Sequence, residues 1–228
     1  MHSIRWAMIS LALMIYGLCN AAESSNYSAS VEYVRCLAKT YDLQAAARSE
    51  LAGTKDPTAI LMTSVRMSTK AKLELHAMIA TLQQLEVTDD ARQFVQYLIN
   101  FYQQKIEINN TLIETASKIL GSSKPGVDNY GKLMVSMAEA SATIEQIDEQ
   151  IFKLANAIFA VMIDQRPDKM GHTSHLKITR AERAELLKLI DSRFGSSLDQ
   201  KNRNWIVSGA WLMRSNLKKD FKTSDEPW

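Results

Sequence analysis

The sequence predicts an all-α fold: an elongated antiparallel bundle of about six helices, three of them long, behind a cleaved amino-terminal signal peptide. Three observations carry that expectation. Gly 8 and Pro 4 make up about 5% of the chain against roughly 12% in average usage, which excludes collagen-like, low-complexity and turn-rich all-β chains. Those few breakers fall between long segments whose apolar residues recur every three to four positions. A hydrophobic content of 46% with 23% charged residues supplies a core and excludes a disordered polymer.

Residues 1–22 have the order of a secretory signal: His2 and Arg5, an apolar run from Trp6 to Leu18, then Ala21 and Ala22. The run is too short for a bilayer, which needs about 20 apolar residues, so the mature chain is expected without a membrane anchor. It should begin at Ala22 or Glu23 and be periplasmic or secreted. A lipoprotein signal would use Cys19, but Leu18 stands where a small residue is usual. Once Cys19 is removed, Cys36 is the one thiol left. It cannot form an internal disulfide, and beside Val34 and Leu37 it reads as a small buried hydrophobe.

The first helix is expected after Ser30, an N-cap with Glu32 in the first turn, and to reach about residue 50 before Gly53. Asp56 and Pro57 supply a cap and a first-turn proline for a second helix to about residue 86. Its stripe is Ala71, Leu75, Met78, Leu82 and Leu85, with Ser64 and Ser68 making the other half less apolar. Thr88, Asp89 and Asp90 start a third helix that ends at Gly121 and Pro125. Lys105 and Asn109 interrupt its apolar stripe. Asn109 would either fix register from within the seam or face water, a small rotation bringing Ile106 and Ile113 inward; the adjacent isoleucines favour rotation.

The fourth helix, expected over 128–165, carries the strongest signal. Tyr130, Leu133, Met137, Ala140, Ile144, Ile147, Ile151, Leu154, Ile158 and Val161 keep a 3,4 rhythm without a miss. Thr179 with Glu182 makes a capping box for a fifth helix ending at Gly195, and Ser197 with Gln200 makes another for a sixth. The organisation predicted is a signal over 1–22, a long-helix bundle over 23–164, and a loop plus helical hairpin over 165–228. The bundle segment carries 13 basic and 17 acidic residues, the last segment 13 and 8. That asymmetry favours the hairpin docking on the bundle over an anionic partner, because its basic residues are mixed with acids.

Catalytic signatures are missing from the chain: there is no CxxCH, no Glu-x-x-His, no HExxH and no GxSxG. The candidate metal ligands are His172 and His175, three apart, with Asp168 as a third, since zinc needs at least three protein ligands. His76, beside Leu75, reads as an ordinary helix histidine. Glu145, Asp148 and Glu149 read as a solvated acidic face, and Trp205 and Trp211 as packing between helices. A formal charge of +2 argues against nucleic acid. The expected function is an exported non-catalytic helical protein, without cofactor, acting by binding an unknown protein or envelope partner or as a structural component. An oligomer is compatible with this. The alternative is a periplasmic small-molecule or metal-binding protein using the bundle interior or the His172/His175 loop.

Overall fold

Six helices account for nearly everything that the computed structural model describes, residues 25–87, 89–122, 127–163, 178–199 and 204–218, and no strand occurs among those residues. They are α1 (Ser25–Leu51), α2 (Pro57–Gln83), α3 (Asp89–Leu120), α4 (Val127–Ile163), α5 (Arg180–Leu198) and α6 (Trp205–Lys218). None of them is long and apolar enough to cross a membrane. The expected signal segment over 1–22 lies outside the described residues, as do Trp228 and the 164–177 stretch that holds Asp168, His172 and His175.

The helix starts follow capping chemistry. Asp56 accepts from the backbone N–H groups of Thr58 and Ala59 at 3.2 and 3.1 Å, and Pro57 follows it. Thr179 and Glu182 form the expected reciprocal box. Gly53, at φ +79°, turns the chain between α1 and α2 in a conformation that a side chain would resist.

α2 ends at Gln83, short of the expected 86. Three further boundaries differ from the sequence expectation, each because packing extends or replaces a local signal. α1 starts at Ser25, so Ser30 is not a cap. It is buried inside the helix, its hydroxyl donating to the Asn26 carbonyl at 2.7 Å, beside the core residues Ala29 and Tyr33. α5 runs through Gly195 to Leu198, because Leu186, Ile190, Phe194 and Leu198 form one buried stripe at four-residue steps. Ser197 therefore ends up inside α5, its hydroxyl 3.2 Å from that of Tyr41, and does not cap α6. Asn204 does: its Oδ1 accepts from the Ile206 N–H at 2.9 Å.

Close packing joins α2 to α3, α3 to α4, α4 to α6 and α5 to α6, and α1 touches α2, α3, α5 and α6. The main core draws on all six helices, with the buried residues Tyr33, Phe94, Leu98, Ile151, Ile190 and Met213 among its members. Tyr33 and Phe94 meet edge to face at 5.8 Å, and so do Tyr41 and Phe194 at 6.0 Å. Gly209 permits the close approach of α6, since a Cβ there would stand 3.4 Å from the Phe152 ring and 3.5 Å from the Tyr33 hydroxyl. A smaller core of Leu61, Ala116, Ile119 and Leu133 closes the far end of α2, α3 and α4. On α4, Ile147 and Ile151 are buried as the rhythm predicts, and Met137 and Ile144 on the same stripe are half-buried.

Apolar contact edged by hydrogen bonds joins the basic carboxy-terminal helices to the rest. The Tyr27 hydroxyl on α1 donates to Glu185 of α5 at 2.6 Å. Arg214 of α6 pairs with Asp191 of α5 at 2.6 Å, within the hairpin itself.

A groove built on a buried ion pair

Lys105 lies on the interior stripe of α3 and Asp148 beside the stripe of α4, between Ile144 and Ile151. Two antiparallel neighbours with opposite charges on their inner faces must bring those charges together or strand them. Here they meet. Lys105 Nζ donates to Asp148 Oδ1 with side chains 3% and 8% exposed. Moving two ions out of water costs several kcal/mol each, and close contact with added hydrogen bonds is what offsets it.

The added bonds come from α1 and α6. Gln44 Nε2 donates to Asp148 Oδ2 at 3.3 Å, and Asn204 Nδ2 donates to Gln44 Oε1 at 3.0 Å. Asn204 uses its oxygen to cap α6, so a single chain of polar contacts runs from α3 through α4 and α1 into the α6 start. Asn109, one turn beyond Lys105, is 6% exposed and donates from Nδ2 to the Lys105 carbonyl at 2.8 Å. The rotation that would put Asn109 in water does not occur, because its amide is satisfied inside its own helix.

Above this chain the half of α1 that carries Gln44, Ala47 and Arg48 stands across from the half of α4 that carries Met137, Ser141 and Ile144. The groove between them has a volume of about 520 Å³, with Leu112 of α3 and Trp205 of α6 completing its walls. Trp205 is held by the Phe152 ring at 5.7 Å. Behind Asp148 a separate space of about 10 Å³, bounded by Tyr33, Thr40, Tyr102 and Phe152, is the size of one water site.

Burial decides the acid–base character of the interior. It pushes the Cys36 thiol up to about 12, with Glu32 adding to the effect and a hydrogen bond from Tyr102 opposing it. Tyr33 and Tyr102 are held well above the ordinary tyrosine value, first by burial; Asp148 adds at Tyr33, and Cys36 and Tyr33 are the larger additions at Tyr102. These groups stay protonated at neutral pH, so the buried thiol is not a thiolate nucleophile.

Several residues fall elsewhere than the sequence suggested. Asp148 is not part of a solvated acidic face. Burial between Ile144 and Ile151 turns it to Lys105, while Glu145 remains exposed at the groove and Glu149 pairs with Lys153 at 2.8 Å. Trp211 is 50% exposed and does not pack between helices, because the buried face of α6 runs through Ile206, Ala210, Met213 and Leu217. His76 is exposed. Cys36 is buried as expected. The candidate ligands Asp168, His172 and His175 lie outside the described residues, among which no group of three or more His, Cys, Asp or Glu is placed to hold a metal. Gln44 and Asn204 escaped sequence reasoning. The available signal was Asn204 directly before the apolar period of α6, a normal cap position.

No family model, no curated protein and no solved structure matches this chain.

Proposed function

We propose that the chain is an exported binding protein without a reaction of its own, and that the groove between α1 and α4 is where it holds its ligand. One observation carries this reading. Three helices and the cap of a fourth contribute to a chain in which Lys105 and Asp148 are buried and Gln44 and Asn204 half-buried, and the chain opens onto a groove of about 520 Å³, within the range of small-molecule sites. An apolar pairing of the same volume would hold α3 and α4 together at least as well, so the charges are better explained by what they face. Apolar walls from Ala47, Leu112, Met137, Ile144 and Trp205 would hold the body of a ligand, and Gln44, Arg48, Glu145 and Asn204 beside them would orient its polar groups.

Isolation of the protein from its native host under non-denaturing conditions, followed by mass spectrometry, tests the assignment. A stoichiometric companion that is lost in a Ser141→Trp variant, which fills the groove from α4, supports it. A wild-type protein that emerges empty, and whose Trp205 emission no host extract changes, overturns it. Export is checked by amino-terminal sequencing, which should begin at Ala22 or Glu23. An intact Met1 or a lipidated Cys19 refutes that part.

A second reading, docking of a partner protein on the carboxy-terminal hairpin, is favoured by the exposure of Trp211. Trp211→Ala should then weaken partner recovery after cross-linking without altering ligand retention. The metal-binding alternative rests on the 165–178 sequence alone, and zinc titration of a His172→Ala, His175→Ala protein checks it.

A further inference from the structure

On the other side of the polar chain, between α1 and α2, lies a second hollow of about 180 Å³. Its surface is mainly apolar, from Leu43 and Ala47 of α1, Met67, Ala71 and Leu75 of α2, and Ile144 of α4. Thr40 and Gln44 of α1 and Ser68 of α2 also line it, and Lys105 and Asn109 of α3 bring the one charged group. The hollow is open to solvent, and its volume exceeds the roughly 150 Å³ that accepts a benzene-sized molecule in a closed apolar cavity, which leaves room for a ring and a short substituent.

Lys105 sets the chemistry. An ammonium carries three donors, and among the described residues Asp148 is the one hydrogen-bond partner of Nζ. The Tyr102 ring centroid is 6.0 Å away, at the outer limit of a cation–π contact. With the side chain 3% exposed, little water reaches the remaining donors. A neutral oxygen in the hollow would accept from one of them without disturbing the ion pair. An anion would compete with Asp148 for the same ammonium and leave a net negative charge against the buried pair.

We propose that the hollow between α1 and α2 is a site for a small uncharged molecule, an aromatic ring or an aliphatic group of that size, bearing a carbonyl oxygen that accepts from Lys105 Nζ. The proposal rests on the reading of the chain as a binding protein, but not on the larger groove being filled.

The test titrates the isolated protein, labelled at its methionine and alanine methyls, with acetophenone, toluene and benzoate. Met67 and Ala71 report the hollow and Met137 the groove. Acetophenone should shift Met67 and Ala71, leave Met137 in place, and bind at least about tenfold more tightly than toluene, since it alone adds a hydrogen bond to a charged donor. Benzoate should bind at least about tenfold more weakly than acetophenone, the charge penalty outweighing its acceptor atoms. Ala71→Phe, which fills the hollow, should abolish acetophenone binding. Lys105→Met combined with Asp148→Leu removes the pair without stranding a charge, and should reduce acetophenone to the affinity of toluene.

Equal affinity for acetophenone and toluene overturns the proposal, as does tighter binding of benzoate, a shift at Met137 in place of Met67, or binding that survives Ala71→Phe. Should the double variant fail to fold, the three probes on the unaltered protein and the Ala71→Phe result decide alone. A protein that brings a companion from its host yet ignores acetophenone sinks this site and leaves the binding reading standing. One that emerges empty and ignores the probes sinks both.

Discussion

At one end of the molecule the side chains of all six helices meet, and at the other, among the described residues, those of α2, α3 and α4 do. The change comes where α1 stops. Lys39 and Glu50 of α1 pair with Glu74 and Arg66 of α2, so α1 runs antiparallel to α2 and ends about a turn before the level of Leu61. Beyond that level four buried residues form the core, and Met62, Met134 and Val135 on the same helices are left exposed. Between the two cores sits a polar belt of Ser64, Ser68, Lys105 and Asn109, all buried. A helix that must serve two neighbourhoods, one crowded and one sparse, thus changes its inner face from apolar to polar where the neighbourhoods join.

The sharpest break in the comparison is expected at the belt. Asp148→Ala strands a buried ammonium and should cost about 3 to 5 kcal/mol in denaturant melts, whereas Lys105→Met with Asp148→Leu should be neutral or stabilising by about 1 to 4 kcal/mol. A single variant milder than the double would show that the pair does not hold the belt together. Next come the two cores. Ile151→Ala, in the six-helix core, should cost about 2 to 5 kcal/mol, and Leu133→Ala, in the three-helix core, should lie at the low end of that range because its surroundings collapse more easily. Equal losses would erase the distinction. Amide exchange gives an independent reading: the start of α2 and the end of α3 should open at lower free energy than the middle of α3.

Raised pH should act through the six-helix core. The Cys36 thiol, ordinarily near 9.0, is pushed up to about 12 in the folded chain. The unfolded chain therefore loses this proton first as pH rises. The stability that depends on it is fully present below about pH 9 and falls by about 1 kcal/mol per pH unit above it, with Tyr33 and Tyr102 adding to the decline at still higher pH. A Cys36→Ala protein should show a flatter loss between pH 9 and 10. Smaller still, Thr179→Ala removes one cap and should cost about 1 kcal/mol, and Glu149→Ala, which loses a surface pair with Lys153, less than about 1 kcal/mol.

Features that depend on neighbours in sequence were legible. The α4 stripe, the Asp56–Pro57 start and the Thr179–Glu182 box each lie within a few turns of one helix, where periodicity and capping act. The candidate site was half legible. Lys105 and Asn109 show up as interruptions of an apolar rhythm, but the partner that gives Lys105 its meaning is 43 positions away, and no local pattern points to it. Asp148 was masked by its company. With Glu145 three residues before it and Glu149 directly after it, it looks like a charged surface, although it is also four residues from Ile144 and three from Ile151, on the edge of the buried stripe. Ser197 misled for a different reason. A serine followed three residues later by glutamine is a fair capping signal, but burying Phe194 and Leu198 carries α5 past it.

The contacts that α1 makes with the last two helices set a timetable. Tyr27 meets Glu185 across 158 positions, Tyr41 meets Ser197 across 156, and Gln44 meets Asn204 across 160. The α2–α3 hairpin needs only a tight turn, whereas closing a loop of this length costs more entropy and rewards the chain only once α5 and α6 arrive. A ribosome or export channel delivering the chain amino end first would release α1 long before its partners. For that interval Tyr33, Val34, Leu37 and the other core residues of α1 are covered by α2, α3 and α4 but not by α5 and α6, so the interval just before the carboxy-terminal hairpin emerges leaves apolar surface for a chaperone to hold.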